Sequence, residues 1–98
     1  MAASIDFSAD ARVEFDEAYN WYAERSVGAA IGFATEVDVS VEAIAADPQR
    51  FMRTYGGCQL CRLKRYPYCV VYHHSGDTIR VIAIAHAKRR PEYWRYRI

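Results

Sequence analysis

At 98 residues the chain has the length of one domain, and a chain of this size buries roughly 60–70% of its unfolded surface, enough for one core without staples. An apolar content of 52% and an aromatic content of 14% exclude a disordered chain, and no apolar run approaches the ~20 residues that span a bilayer. The formal net charge of +1 hides a bipolar molecule. Residues 1–48 carry ten carboxylates against Arg12 and Arg25, a net of −8; residues 49–98 carry eleven lysines and arginines against Asp77 and Glu92, a net of +9. The second half is therefore expected to meet something acidic, either nucleic acid or an acidic protein. The stretch MAASIDFSAD lacks the basic and apolar regions of a signal peptide. Three cysteines, an odd number in a chain large enough to fold without disulfides, point to a reducing cytoplasm.

Ile5 and Phe7 alternate with polar residues and predict a short strand at 3–7. Ser8 fits an N-cap, with Asp10 in the first turn where the helix dipole favours a carboxylate. Ala11, Phe15, Ala18, Tyr19 and Tyr22 make one face of a helix running to about Glu24, broken by Ser26 and Gly28. A second helix is expected over 28–46, its stripe formed by Ala30, Phe33, Ala34, Val37, Val41, Ile44 and Ala45. Pro48 stops it, because the residue before a proline is pushed out of the helical region. Joined by so few residues, the helices should form an antiparallel hairpin with most of the acid on its exposed side. RTYGG at 53–57 reads as a turn-rich link. Strands are expected at 58–65, 68–74 and 78–85, with a corner at Tyr66-Pro67 and a tight hairpin at Ser75-Gly76-Asp77. The order β-α-α-β-β-β predicts a single α+β domain over 1–98, a helical hairpin on one face of a small, mainly antiparallel four-stranded sheet with a basic C-terminal tail. The other face should stay open and collect the basic residues.

Four groups of residues invite a chemical reading. In the tail, Lys88, Arg89, Arg90, Arg95 and Arg97 interleave with Tyr93, Trp94 and Tyr96; arginine forks grip phosphate and aromatic faces stack on bases. The bland alternative has the aromatics packed back onto the sheet, and for Trp94 the area of an indole favours that role. On the strands, Arg62 and Lys64 share parity, as do Arg80 and His86, so both pairs would form a basic floor if they face the open side. Cys58-x-x-Cys61, with Cys69, His73 and His74 downstream, has a zinc-like spacing. On a strand, however, Cys58 and Cys61 face opposite sides, and no metal or other cofactor is expected. Finally, His86, Lys88, Glu92 and Tyr93 could supply the base, the phosphate-binding cation and the proton donor of a metal-free nuclease.

The strings FSADARVEFDEAYNWYAER, FATEVDVSVEAIAADPQRF and CRLKRYPYCVVYHHSGDTIRVIAIAHAKRRPEYWRYR follow in order along the chain. They resemble the ParE/RelE superfamily of type II toxins, and most closely its ParE-like branch, the plasmid stabilisation proteins. The resemblance implies a cytoplasmic toxin held in a hetero-oligomer by a cognate antitoxin, whose acidic C-terminal segment wraps the basic surface. ParE-like members inhibit DNA gyrase by binding; RelE-like members cleave mRNA on the ribosome. The ParE-like spelling of the ends implies a binding inhibitor rather than an enzyme, with Arg62, Lys64, Arg80, His86, Lys88, Arg89, Arg90, Tyr93, Trp94 and Arg95 at the partner surface. The nuclease alternative implies Lys64, Lys88, Arg89 and Tyr93 as catalytic residues, but places Cys69, which carries no phosphate-binding charge, where such nucleases hold an arginine. A third alternative is a degenerate toxin that retains only antitoxin binding.

Overall fold

The computed structural model describes residues 4–98; Ala3, the first residue of the expected opening strand, lies outside them. Ser4–Phe7 forms β1. Ser8 is extended, and its hydroxyl accepts the Ala11 N–H at 3.1 Å, the N-cap that the sequence predicts. The first helix, α1, runs Ala9–Ala23, and the second, α2, runs Val27–Ala46. Ser26, expected only as a break, caps α2 by accepting the Ala29 N–H at 3.2 Å. Then follow β2 (Met52–Arg53), a 3-10 turn at Tyr55–Gly57, β3 (Gln59–Arg62), β4 (Tyr68–Ser75) and β5 (Thr78–His86). None of the described helices is long and apolar enough to cross a membrane.

The α+β layout is the expected one, with two differences in the sheet. It has five strands in the order β1-β5-β4-β3-β2, because Met52 and Arg53, the residue before the expected link and the link's first residue, pair with Leu60 and Gln59. It is mixed, β1 lying parallel to β5 while the other pairs are antiparallel. The strand expected over 58–65 also stops at Arg62. Beyond it the Glu36 carboxylate of α2 accepts the backbone N–H groups of Lys64 at 2.9 Å and Arg65 at 3.2 Å. Lys64 therefore sits in the β3–β4 corner and not on a strand.

The helical hairpin covers one face of the sheet. Ala11, Ala18, Phe33, Val37 and Ile44 pack against Cys61, Leu63, Val70, Tyr72, Ile79, Val81 and Ile84. The Phe33 ring meets those of Phe15, Tyr22, Tyr66 and Tyr68 at 5.2–5.8 Å between centroids, within the usual range for aromatic pairs. Gly32, a poor residue for a helix interior, has a reason here: any Cβ would collide with the Tyr66 hydroxyl, which donates to the Ala29 carbonyl at 2.9 Å. The Tyr72 hydroxyl ties the end of α2 to the sheet by donating to the Pro48 carbonyl.

The opposite face is not open. Cys58, Val71, Ile82, Ala83 and Ala85 form a second buried cluster, and Trp94 of the tail, 3% exposed, closes it. Cys58 and Cys61 fall in different clusters, on the opposite faces that strand parity predicts.

A β-bulge decides what each end of β5 presents. Val71 pairs with Ala83, but its neighbour Tyr72 pairs with Val81, leaving Ile82 extra. The extra residue inverts the alternation. Before it, Ile79 and Val81 face the helices; after it, Ile84 does. Arg80 consequently points to the tail side, and His86 to the helix side, where its ring stands edge-on to Tyr68 at 4.8 Å. The shared face expected for Arg80 and His86 does not exist, because a single inserted residue breaks the period of two.

Candidate functional site

The C-terminal segment is built onto the end of β5 that β1 does not cover. Beyond Phe7 the chain turns into α1, so β5 loses its parallel partner and its backbone needs other bonds. Ser8 Oγ and Arg97 Nη1 donate to the Ile82 carbonyl at 3.3 and 3.1 Å, and the Ile84 N–H donates to Glu14 Oε1 at 3.0 Å. Glu14, on α1, is the hub. Its carboxylate also receives the Tyr93 hydroxyl at 2.7 Å and both terminal nitrogens of Arg97 at 3.0 Å. The two charged side chains are buried together, Glu14 at 11% and Arg97 at 9% exposure. Arg97 Nε is buried without a hydrogen bond, 3.7 Å from Asp10. Arg89 stacks on the Tyr93 ring at 3.8 Å and reaches Glu14 at 3.9 Å. The turn that brings Tyr93 back passes through Glu92 at φ 59°, a left-handed conformation uncommon for a residue with a side chain.

This arrangement sorts the expected site residues into three groups, with His86 apart from them on the helix side against Tyr68. Tyr93 and Trp94 are bound into the fold, and Arg89, exposed, leans on the Tyr93 ring; Trp94 is a core residue and has no face free to stack on a base, which corrects its place on a contact surface. Arg80 is exposed but paired with Asp6 at 2.7 Å. Arg62, Lys64, Lys88, Arg90 and Arg95 are exposed and have no carboxylate within 4.0 Å among the described residues. Lys64 and Lys88 flank the same end of the sheet, since the Ala87 N–H donates to the Pro67 carbonyl at 2.8 Å. Cys69 faces the tail side opposite Arg62, its thiol pushed up by burial, with Arg62 acting the other way. Sequence reasoning missed Glu14, and it counted Arg97 as one of the tail cations without its buried bond to Glu14. Glu14 reads as one more acid on an acidic helix, and its only distinguishing mark is its position at i+3 from Ala11 on the apolar flank of α1.

Burial raises the Tyr93 phenol well above the ordinary tyrosine range, and its hydrogen bond to Glu14 adds to the rise. Burial likewise pushes Tyr72 up to about 12. Both folded values lie above the unfolded one of about 10, so the folded state holds these protons more tightly. Their contribution to stability is complete below about pH 10 and is lost as pH rises through the folded values. Urea midpoints are therefore expected to fall steeply above about pH 10, and Tyr93→Phe should flatten part of that fall; an unchanged alkaline limb in the variant would show that the Tyr93 phenol does not contribute.

For Arg97, burial works against the charge, but its hydrogen bonds to Glu14 and Tyr96 outweigh it and its pKa is raised. It stays a cation at every accessible pH.

Comparison with known proteins places these features in a wider group. A family model described as the ParE toxin of type II toxin-antitoxin system, parDE, matches residues 5–91. Among solved structures the chain is similar to one from the chromosomal ParDE toxin–antitoxin system of P. aeruginosa. The TM-score is 0.74 at 18% identity, over 89% of this chain and 98% of that one. No curated relative matches.

Proposed function

The chain belongs to the family of ParE toxins of type II toxin–antitoxin systems, and from that premise we propose that it arrests growth by binding DNA gyrase in the cytoplasm until a cognate antitoxin covers it. The contact surface in this reading is the row of exposed cations along and beside the tail: Arg62, Lys64, Lys88, Arg90 and Arg95. None of the five has a carboxylate within 4.0 Å among the described residues, so an acidic partner would supply the compensation they lack. An antitoxin's acidic segment and a nucleic-acid machine both meet that requirement.

One observation favours binding over RNA cleavage. The Tyr93 hydroxyl, one of the groups the nuclease reading calls on, already donates to Glu14, and Arg89 leans on the same pair. A nuclease needs such groups free to reach a 2′-hydroxyl or a leaving oxygen. Here they hold the tail to the fold. Cys69 supplies no charge for a phosphate.

The test is a supercoiling assay on relaxed plasmid. Added toxin is expected to stop gyrase, and a cognate antitoxin to restore it. Codon-positioned cuts on translated mRNA, with supercoiling untouched, would sink the gyrase reading in favour of the nuclease.

A further inference from the structure

The outer side of the helical hairpin carries an exposed apolar row. Val27, Ile31, Thr35 and Val39 recur every four residues along α2, turned away from the buried Ala30, Phe33, Val37 and Ile44. Ile31 is 55% exposed, and Val27, Val39 and Val13 of α1 are as open or more so. β-Branched side chains lose rotamer freedom in a helix, a cost that solvent does not offset and a covering surface does. Asp16, Asp38 and Glu42 share this side, exposed and with no cation within 4.0 Å among the described residues.

The tail side of the sheet is built in the opposite sense. Tyr96 is 75% exposed, and Ile98 is open as well. Ile98 lies against the Tyr55–Gly57 turn, where a Cβ at Gly56 would collide with its Cδ1. Met52, also exposed, pairs with Leu60 and shares the face that packs toward Trp94. Arg62, on that face opposite Cys69, and Arg90 and Arg95 of the tail supply positive charge. Each side therefore joins apolar side chains to charge of one sign, and the two signs are opposite. A polyanion suits the tail side alone and is repelled by the hairpin. A second copy of the chain suits both, and a net charge of only +1 sets no overall repulsion against it.

We infer that the chain associates with copies of itself head to tail, the hairpin of one copy lying on the tail side of the next. Ile31 and Val39 meet Tyr96 and Ile98, while Asp38 and Glu42 face the tail cations. The two surfaces differ, so the contact is heterologous: it does not close at two copies but continues into an open chain or a ring. The association stands whether or not gyrase is the target. Its consequence is that Arg90 and Arg95 are covered in the assembled form, so an acidic partner must displace a copy to reach them.

The experiment is sedimentation equilibrium of the full chain without any partner. At an ionic strength of about 0.01 M, where the Debye length is about 30 Å, the average mass should rise with concentration past twice that of the monomer. At about 1 M, where that length is about 3 Å, it should fall back toward the monomer. Two charge-reversed variants separate the surfaces. One carries Asp16→Lys, Asp38→Lys and Glu42→Lys, the other Lys88→Glu, Arg90→Glu and Arg95→Glu. Each alone should be monomeric, and an equimolar mixture should associate again. Ile31→Asn and Tyr96→Asn leave the charge unchanged and should each weaken the parent's association by about tenfold. Unchanged urea midpoints certify that the variants are folded. A parent chain that stays monomeric at low ionic strength would overturn the inference, including the case in which only added oligolysine moves the hairpin's amide resonances. So would a mass that stops at two copies, a reversed pair that stays apart, or undiminished association of both neutral variants.

Discussion

Replacing Glu14 by alanine is expected to cost about 3–5 kcal/mol of folding stability, the usual loss when one partner of a buried ion pair is removed. The reason is what it leaves behind. Arg97 would keep a buried guanidinium with Asp10 at 3.7 Å as its nearest counter-charge, Tyr93 would keep a half-buried hydroxyl without its acceptor, and the Ile84 N–H would lose its partner on an uncovered strand. At about 4–8 °C per kcal/mol for a domain of this length, the melting temperature should fall by more than about 10 °C. The pair itself need not be a net stabiliser, because burying two charges costs about as much as their attraction returns. That distinction is measurable. Glu14→Ala combined with Arg97→Met should be more stable than Glu14→Ala alone, since the second change removes the stranded charge. Hydrogen exchange in Glu14→Ala should speed up first at residues 93–98, where the tail is held by this carboxylate. A loss below about 1 kcal/mol in urea titrations, or exchange rising uniformly, would refute the role of Glu14 as the hub.

The parts of the fold that the sequence announces are those governed by local rules. Ser8 caps a helix because its hydroxyl meets an N–H three residues on, and the α2 stripe from Phe33 to Ile44 is legible because a helix repeats every 3.6 residues. What stays hidden depends on distant partners. Nothing near Ile82 signals a bulge: TIRVIAIA has no glycine or proline and reads as one continuous strand rich in β-branched residues, and the insertion is seen only in the mismatch between its register and that of β4. That one residue moves His86 from the tail face to the helix face and so sets its ring against Tyr68. The second covered face is hidden for a similar reason. Parity shows that a strand has two sides, but only the return of Trp94, 23 positions after Val71, decides what covers one of them. The site residues divide along the same line. The exposed cations are legible as charge, whereas Glu14 and Arg97 are charges whose function is structural and whose 83-residue separation no motif encodes.

Reversing Lys88, Arg90 and Arg95 together to glutamate is expected to abolish gyrase inhibition while leaving the fold intact. Each side chain is exposed, and none has a carboxylate partner among the described residues, so the change in stability should stay within about 0.5 kcal/mol. The field changes far more. Three reversals take the formal net charge from +1 to −5, and the patch that attracts an acidic partner becomes one that repels it. Electrostatic steering raises association rates by about 10- to 1,000-fold, so antitoxin association should slow within that range at low salt and converge with the parent as salt is added. Dissociation should change less, because exposed charges act mainly on the rate of encounter. Arg89 is left out deliberately. A glutamate there would face Glu14 directly, so a loss of binding by that variant would not distinguish a damaged tail from a missing contact. An undiminished arrest of supercoiling by the triple variant, at low salt and with an unchanged urea midpoint, would remove the cation row from the toxic surface.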